Sequence, residues 1–227
     1  MSVLEMISTY EEDWIKKFDP QKRIVTGNAY FLVKRSVDLL LVTITLPLCL
    51  PLNAIVAVII RITSPGAPVF FKQLRTGKGG RRFQMYKFRT MVPDAEELKS
   101  KYAHLNELKW PDFKITNDPR ITPVGRFLRQ TSLDELPQFF NVLRGEMSLV
   151  GPRPTSFGPE TYKLWHTHRL DVMPGLTGLW QIIGRAQLEF DDRLRLDIAY
   201  IERASLWLDI NILFRTVMAV FERRGAH

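Results

Sequence analysis

The segment LLLVTITLPLCLPLNAIVAVII, Leu39 to Ile60, constrains this chain more than any other stretch. It carries no charge, and as a straight helix it would run about 33 Å, enough to cross a hydrocarbon core of about 30 Å. Three details predict a bend instead. Pro47 and Pro51 each remove a backbone donor and crowd the preceding turn. Asn53, close by, offers an amide to a freed carbonyl. The flanks are basic on both sides, with Lys34 and Arg35 before and Arg61 after. The positive-inside rule gives such a span no preferred direction, whereas a hairpin with both ends on one face satisfies it. The expectation is a re-entrant helical hairpin over 34–61, with a single bent span as the rival.

Charge continues the theme. The formal net charge is +8, and between Arg61 and Pro93 there are eight basic residues and no acidic one. A basic apron directly after an apolar segment suits an anionic membrane surface or phosphorylated substrates. Nucleic acid is disfavoured as a partner by the long apolar run and the lack of a binding module. Cys49 is the sole cysteine, which excludes an intrachain disulfide and argues against a cysteine metal cluster. The first twenty residues, acidic and without an apolar core, do not read as a signal peptide.

Around this segment the chain divides into an N-terminal appendage (1–33), the re-entrant element (34–61) and a larger domain (62–227). In the appendage, Ser8 and Glu11 have capping-box spacing for a helix bearing Trp14, Ile15 and Phe18, a surface helix or simple packing. TGKGG at 76–80 reads as the turn of a β-hairpin, without the spacing of a P-loop. Residues 94–110 read as one polar helix. Near the C-terminus two helices are predicted, divided near Ala204–Ser205. The second carries a broad apolar face through Leu206, Trp207, Ile210, Leu213, Phe214, Val217 and Phe221, open to core packing, the membrane interface or a homodimer.

The chemistry concentrates in TSLDELPQFF. Ser132 and Glu135 have capping-box spacing, and Gly145 marks a helix end. Asp134 beside Glu135 equally suits a carboxylate nucleophile in phosphoryl transfer, with the second carboxylate holding a Mg2+ ion that bridges phosphate oxygens. An attacking carboxylate needs cations against phosphate repulsion, and Lys87, Arg89, Arg126, Arg129, Arg153 and Arg185 come from separate segments. Pro152 and Pro154 make GPRP a rigid corner that presents Arg153. His166 and His168 read as surface or core residues.

KRSVD, the proline-broken segment, YKFRTM, TSLDELPQFFNVLRGEMSLVGPRP, PGLTGLWQIIGR and LDIAYIERASLWLD occur in this order over 34–225. Together they resemble the monotopic bacterial sugar transferases, the polyprenyl-phosphate phosphoglycosyl transferases. The resemblance implies an α+β, mainly helical fold: a re-entrant membrane hairpin, a short β-hairpin and amphipathic interface helices around a catalytic domain on the cytoplasmic face of the bacterial inner membrane. It implies transfer of a sugar-1-phosphate from a UDP-sugar to polyprenyl (undecaprenyl) phosphate, releasing UMP. Asp134 is then the nucleophile and Glu135 its partner in Mg2+ binding. Lys87, Arg89, Arg129, Arg153, Gln181, Arg185, Asp197 and Asp209 are the implied substrate-binding residues, and Pro47 and Pro51 the membrane break. A non-catalytic membrane scaffold and a magnesium-dependent phosphohydrolase stand as alternatives. The transferred sugar is not legible.

Overall fold

A computed structural model describes residues 13–108, 113–183 and 188–221 of the chain. The Ser8–Glu11 pair and Arg185 lie outside them. The chain enters its core early. A 3-10 turn at Asp13–Lys17 leaves Ile15 fully buried, and the Trp14 ring lies 4.1 Å from the Arg215 guanidinium. Simple packing therefore describes 13–18.

Helix α1 spans Gly27–Thr63 and stays helical through both Pro47 and Pro51. It starts earlier than position 34 because Thr26 is already extended and Gly27 turns the chain at φ 57°. The prolines deprive the Thr43 and Pro47 carbonyls of their usual donors. The Asn53 amide does not answer these; it donates to the Cys49 carbonyl at 2.7 Å. Tyr30, Asp38, Val42, Cys49, Val56 and Ile60 face protein, while Leu40, Ile44, Leu48, Ile55 and Val58 are exposed. Among the described residues this is the one helix long and apolar enough to cross a membrane.

Its flanking cations serve protein partners. Lys34 pairs with Asp209 at 2.9 Å, and Arg35 donates to the Val142 and Leu143 carbonyls at 2.6 and 3.1 Å. Counting both as membrane-side charge therefore overstates the basic flank before the apolar run.

Strands β1 (Phe70–Thr76) and β2 (Arg82–Phe88) form the expected antiparallel hairpin, with Gly79 and Gly80 at positive φ in its turn. Phe71 faces Lys87, Gln73 faces Met85 and Arg75 faces Phe83, so these six share one face. The polar helix expected over 94–110 shrinks to α2 (Leu98–Lys101) and a 3-10 turn at Ala103–Leu105. The reason is local. Glu107 accepts from the Thr116 backbone and hydroxyl, and Asn106 accepts from the Lys114 N–H, folding the chain back on itself.

Helix α3 (Pro123–Gln130) starts with Thr122 accepting from the Gly125 N–H and Pro123 in the first turn. Gly125 lets it lie against the backbone of Thr90, where a Cβ would come within 1.9 Å of the Thr90 oxygen. Helix α4 (Gln138–Leu143) ends at Gly145, φ 77°, as expected. Its buried Asn141 acts as a strand partner for β2, donating to the Gln84 carbonyl and accepting from the Tyr86 N–H. Strand β3 (Ser148–Val150) pairs in parallel with β4 (Gly175–Thr177). Asp38 of α1 fastens β3 by accepting from the Ser148 hydroxyl and the Leu149 N–H.

Helices α5 (Leu179–Ile183), α6 (Phe190–Arg203) and α7 (Leu206–Phe221) complete the fold, with the break at Ala204–Ser205 where it was expected. On α7 the core takes Leu208 and Ile212, fully buried, while Trp207, Ile210, Phe214, Val217 and Met218 are exposed. The fold is mostly helical with one short antiparallel hairpin.

Candidate active site

A cleft of about 750 Å³ opens between the inner face of the hairpin, the end of α3 and the corner at Arg153. The carboxylate pair sits on its wall in a 3-10 turn, Leu133–Glu135. No capping box forms. Ser132 adopts the left-handed conformation, φ 56°, and its side chain makes no cap hydrogen bond. Glu135 turns away from it toward two cations. Lys87 Nζ lies 2.7 Å from Oε1, and the Arg153 guanidinium spans both oxygens, with Nη2 on Oε1 and Nη1 3.2 Å from Oε2. The helical pieces after Ser132 are short, so a helix dipole contributes little there.

These contacts separate the two acids. Burial alone would raise Glu135; Arg153 and then Lys87 reverse that and hold it well below the usual carboxylate range. Asp134 is buried as well, and burial raises it, with the Glu135 charge adding to the rise. Lys87, Arg129 and Arg153 pull it back down. The Asp134 carboxylate accepts no hydrogen bond from the described residues. It is thus an incompletely satisfied carboxylate among cations, facing a cavity: the condition for a nucleophile rather than a structural acid.

Each cation is positioned by its own element. Lys87 projects from β2 on the face shared with Phe71, Gln73 and Arg75. Arg129 stands on the last turn of α3, its Nε donating to the Thr90 hydroxyl at 2.9 Å, and the close approach at Gly125 sets that distance. The Arg153 corner is held by its carbonyls. Pro152 accepts from the Gly175 N–H, Arg153 from Arg169, Pro154 from Arg75, Thr155 from the Thr76 N–H, and Ser156 and Phe157 from Arg82. Six consecutive carbonyls are satisfied in a stretch whose prolines offer no donors.

The remaining sequence candidates scatter. Arg89 lines the cleft while its Nε donates to the Pro68 carbonyl. Asp197 lies at the cleft margin, almost fully buried, paired with Arg169 at 2.7 Å. Gln181 borders a different, apolar cavity and donates to the Leu176 carbonyl at 3.4 Å. Asp209 is in neither cavity. It is buried beneath α1, accepting from Tyr30, Lys34 and Tyr200. The structure thus places this residue away from both cavities, since a motif shows type and spacing but not which side of a helix meets the core. His166 is a buried core residue beside Trp165.

Sequence reasoning passed over Arg75, Thr90, Arg169 and Arg193, all on the cleft wall. Arg75 was findable, since two-residue alternation along β1 puts it on the face of Phe71 and Gln73. The others are brought in by tertiary contacts alone.

Comparison with known proteins agrees with this architecture. The family model described as bacterial sugar transferase matches residues 29–223. The chain belongs to that family. This bacterial sugar transferase is 43% identical over 202 residues to the galactosyl transferase CpsE of Streptococcus agalactiae, covering 87% of this chain and 44% of that protein. It is 43% identical over 212 residues to an undecaprenyl-phosphate galactose phosphotransferase of Salmonella typhimurium, covering 91% and 44%. It is 39% identical over 201 residues to the exopolysaccharide production protein ExoY of Rhizobium meliloti, covering 86% and 88%. The chain thus spans less than half the length of the first two and most of the third.

Proposed function

We propose that this protein transfers a sugar-1-phosphate from a UDP-sugar to polyprenyl phosphate through a covalent intermediate on Asp134. The observation that carries the reading is the Asp134 carboxylate: buried, unbonded by described neighbours, and ringed by Lys87, Arg129 and Arg153 on the cleft wall. An Asp134 oxygen attacks the phosphorus that bears the sugar. The bond from that phosphorus to the bridging oxygen breaks, and UMP leaves with the bond's electrons. An oxygen of the polyprenyl phosphate then attacks the same phosphorus and releases the Asp134 carboxylate. Lys87 and Arg153 hold Glu135 ionised and stand where charge develops on the diphosphate. Arg129, steadied by Thr90, offers a further cation to the same oxygens.

The residues fit a Mg2+ ion in one respect. Glu135 Oε2 accepts a single donor, from Arg153, and keeps a lone pair. Among the described residues no group of three or more His, Cys, Asp or Glu side chains could hold a metal. Glu135 would therefore hold the ion together with substrate phosphate oxygens and water, and the ion would supply charge neutralisation on the diphosphate.

In this reading α1 anchors the protein at the cytoplasmic face of the bacterial inner membrane as a fold-back, not a span. A straight helix of its length would reach about 55 Å. Yet Val42 belongs to the apolar cluster that holds Met85, while Val56 and Ile60 belong to the one that holds Phe88, three residues along the same strand. A bend at Pro47 and Pro51 accounts for both halves meeting one domain. The exposed face of α7, Trp207 to Met218, would lie in the same interface.

The test is UMP release by detergent-solubilised protein with Mg2+, undecaprenyl phosphate and a panel of UDP-sugars. UDP-galactose comes first, because two of the relatives are named for galactose. Lipid-dependent UMP that disappears in Asp134→Asn is the expected result. UMP without lipid product would indicate water as acceptor, and activity surviving the substitution would remove Asp134 as nucleophile.

A further inference from the structure

Arg153 spans both oxygens of Glu135, and the way it is held decides where that span falls. Its guanidinium is fixed at the tip by Glu135 and by the Leu176 carbonyl at 3.3 Å. Its root is fixed by the two peptide planes that flank its Cα. The plane before it is pinned by backbone alone, the Pro152 carbonyl accepting from the Gly175 N–H at 2.9 Å. Glycine is needed for that approach, since a Cβ on Gly175 would come within 2.1 Å of the Gly151 nitrogen. The plane after it is pinned by a side chain. The Arg153 carbonyl accepts from Arg169 Nη2 at 2.5 Å.

We infer that Arg169 is a positioning residue for the transfer: it sets the Arg153 backbone, and through it the guanidinium that holds Glu135, without itself touching substrate. The inference rests on the transferase reading for the reaction that it serves. Three observations carry it. First, one nitrogen makes both bonds. Nη2 also reaches Asp197 Oδ2, at 2.7 Å, so the two hydrogens of one planar group lock the guanidinium between α6 and the corner. Second, the Arg169 and Asp197 side chains are 4% and 1% exposed, against 21% for Arg153. A cation that is buried and paired offers little to a diphosphate, whereas Arg153 keeps an open side in the cleft. Third, the residue before a proline is confined to extended backbone, yet its ψ keeps a range of about 40°. Pro154 therefore narrows the direction of Arg153, and the Arg169 bond fixes it.

Other side chains clamp the corner further along. Arg75 bonds the Pro154 carbonyl at 2.9 Å, and Arg82 those of Ser156 and Phe157. Those bonds hold the exit of the corner, beyond the Pro154 ring, and bear on Arg153 less directly.

The experiment removes the Arg169 bond without stranding a charge. Arg169→Met combined with Asp197→Leu replaces the buried ion pair by apolar side chains, an exchange that is often neutral for stability. UMP release is measured on the full chain in detergent, with Mg2+, undecaprenyl phosphate and UDP-sugar. kcat should fall about tenfold to a hundredfold, the order expected for a catalytic group misplaced by up to about 1 Å, while thermal stability is kept. The two substitutions are then added to Arg153→Lys, whose head cannot span two oxygens. A residue that acts through Arg153 has nothing left to position there, so the added cost should shrink to about twofold or less. An undiminished cost would assign the loss to a contact of Arg169 or Asp197 with substrate and overturn the inference. So would wild-type kcat in the stable double variant. Should that variant fail to fold, Arg169→Lys, with its charge kept on a shorter side chain, takes its place with the same outcomes.

A second readout needs no turnover, and it decides should Arg153→Lys be too slow to assay. Modification of Arg153 by phenylglyoxal, followed by mass spectrometry, should quicken severalfold in the variant, with buried Arg120 as the internal reference. Unchanged labelling would mean that Arg153 keeps its place, and equal quickening of Arg120 would mean general loosening; either overturns the inference. Wild type that releases no UMP from any donor, while Arg153 labelling responds as expected, would instead remove the transferase reading and leave the hold of Arg169 on Arg153 standing.

Discussion

Two buried acid centres in this protein look alike in composition and behave differently. Asp134 and Glu135 sit among Lys87, Arg129 and Arg153; Asp209 sits among Lys34, Tyr30 and Tyr200. At the second centre each donor points at the carboxylate, with Tyr30 and Lys34 on one oxygen and Tyr200 on the other. At the first, Glu135 takes the nearby donors and leaves Asp134 without one. A satisfied carboxylate joins α1, α6 and α7; an unsatisfied one beside a cavity is available for chemistry. Saturation, not burial or nearby charge, separates structure from function here.

The largest effect should come from exchanging amides for these acids. Asp134→Asn is expected to lower kcat by about three orders of magnitude or more while leaving thermal stability unchanged or improved, since the amide carries no charge to bury. Asp209→Asn should do the reverse. It leaves Lys34 only the more distant Asp38 carboxylate, at 4.0 Å, and costs about 3 kcal/mol of stability, with kcat per folded molecule near the wild-type value. Calorimetry beside UMP release checks both, and similar profiles for the two variants would erase the distinction.

A middling effect is expected from pH. Burial raises Asp134, so activity should fall on the acid side at a pH above the usual carboxylate range. Lys87 opposes that rise, so Lys87→Met should move the acid limb of kcat/KM to higher pH. A limb unmoved by this substitution would mean that another group titrates.

The smallest effect concerns Asp197, which burial raises to about 6 against the Arg169 charge. Between the unfolded carboxylate's pKa and about 6 the folded state holds a proton that the unfolded state has lost. Stability should therefore decrease as pH rises through that window and then level off. Asp197→Asn should flatten this slope in denaturant titrations from pH 4 to 7. Persistence of the slope would assign it to other groups.

Much of this fold was legible in the sequence for identifiable reasons. The hairpin followed from glycines that tolerate positive φ, the division at Ala204–Ser205 from the break between two apolar stripes, and the end of α4 from Gly145. Asp134 and Glu135 stood out by adjacency, and GPRP by the rigidity of its prolines. What the sequence hid was partnership. Glu107 has the composition of a helix surface, yet its carboxylate meets Thr116 and ends the helix early. Lys34 and Arg35 have the composition of a membrane flank, yet they fasten α7 and α4. Asp209 sits in a motif, but only packing shows that it faces away from the cleft. Arg169 and Arg193 belong to no local pattern, and both reach the cleft across the tertiary fold.

Ser132 has a consequence for engineering. It is the one non-glycine described residue at positive φ, and it lies two positions before Asp134. An L-residue in that conformation is strained by roughly 1–2 kcal/mol, and glycine is not. A consensus or stability-guided redesign would therefore favour Ser132→Gly, and the gain in melting temperature would come with a looser hinge under Asp134. Selection for heat resistance and selection for turnover would pull this position in opposite directions.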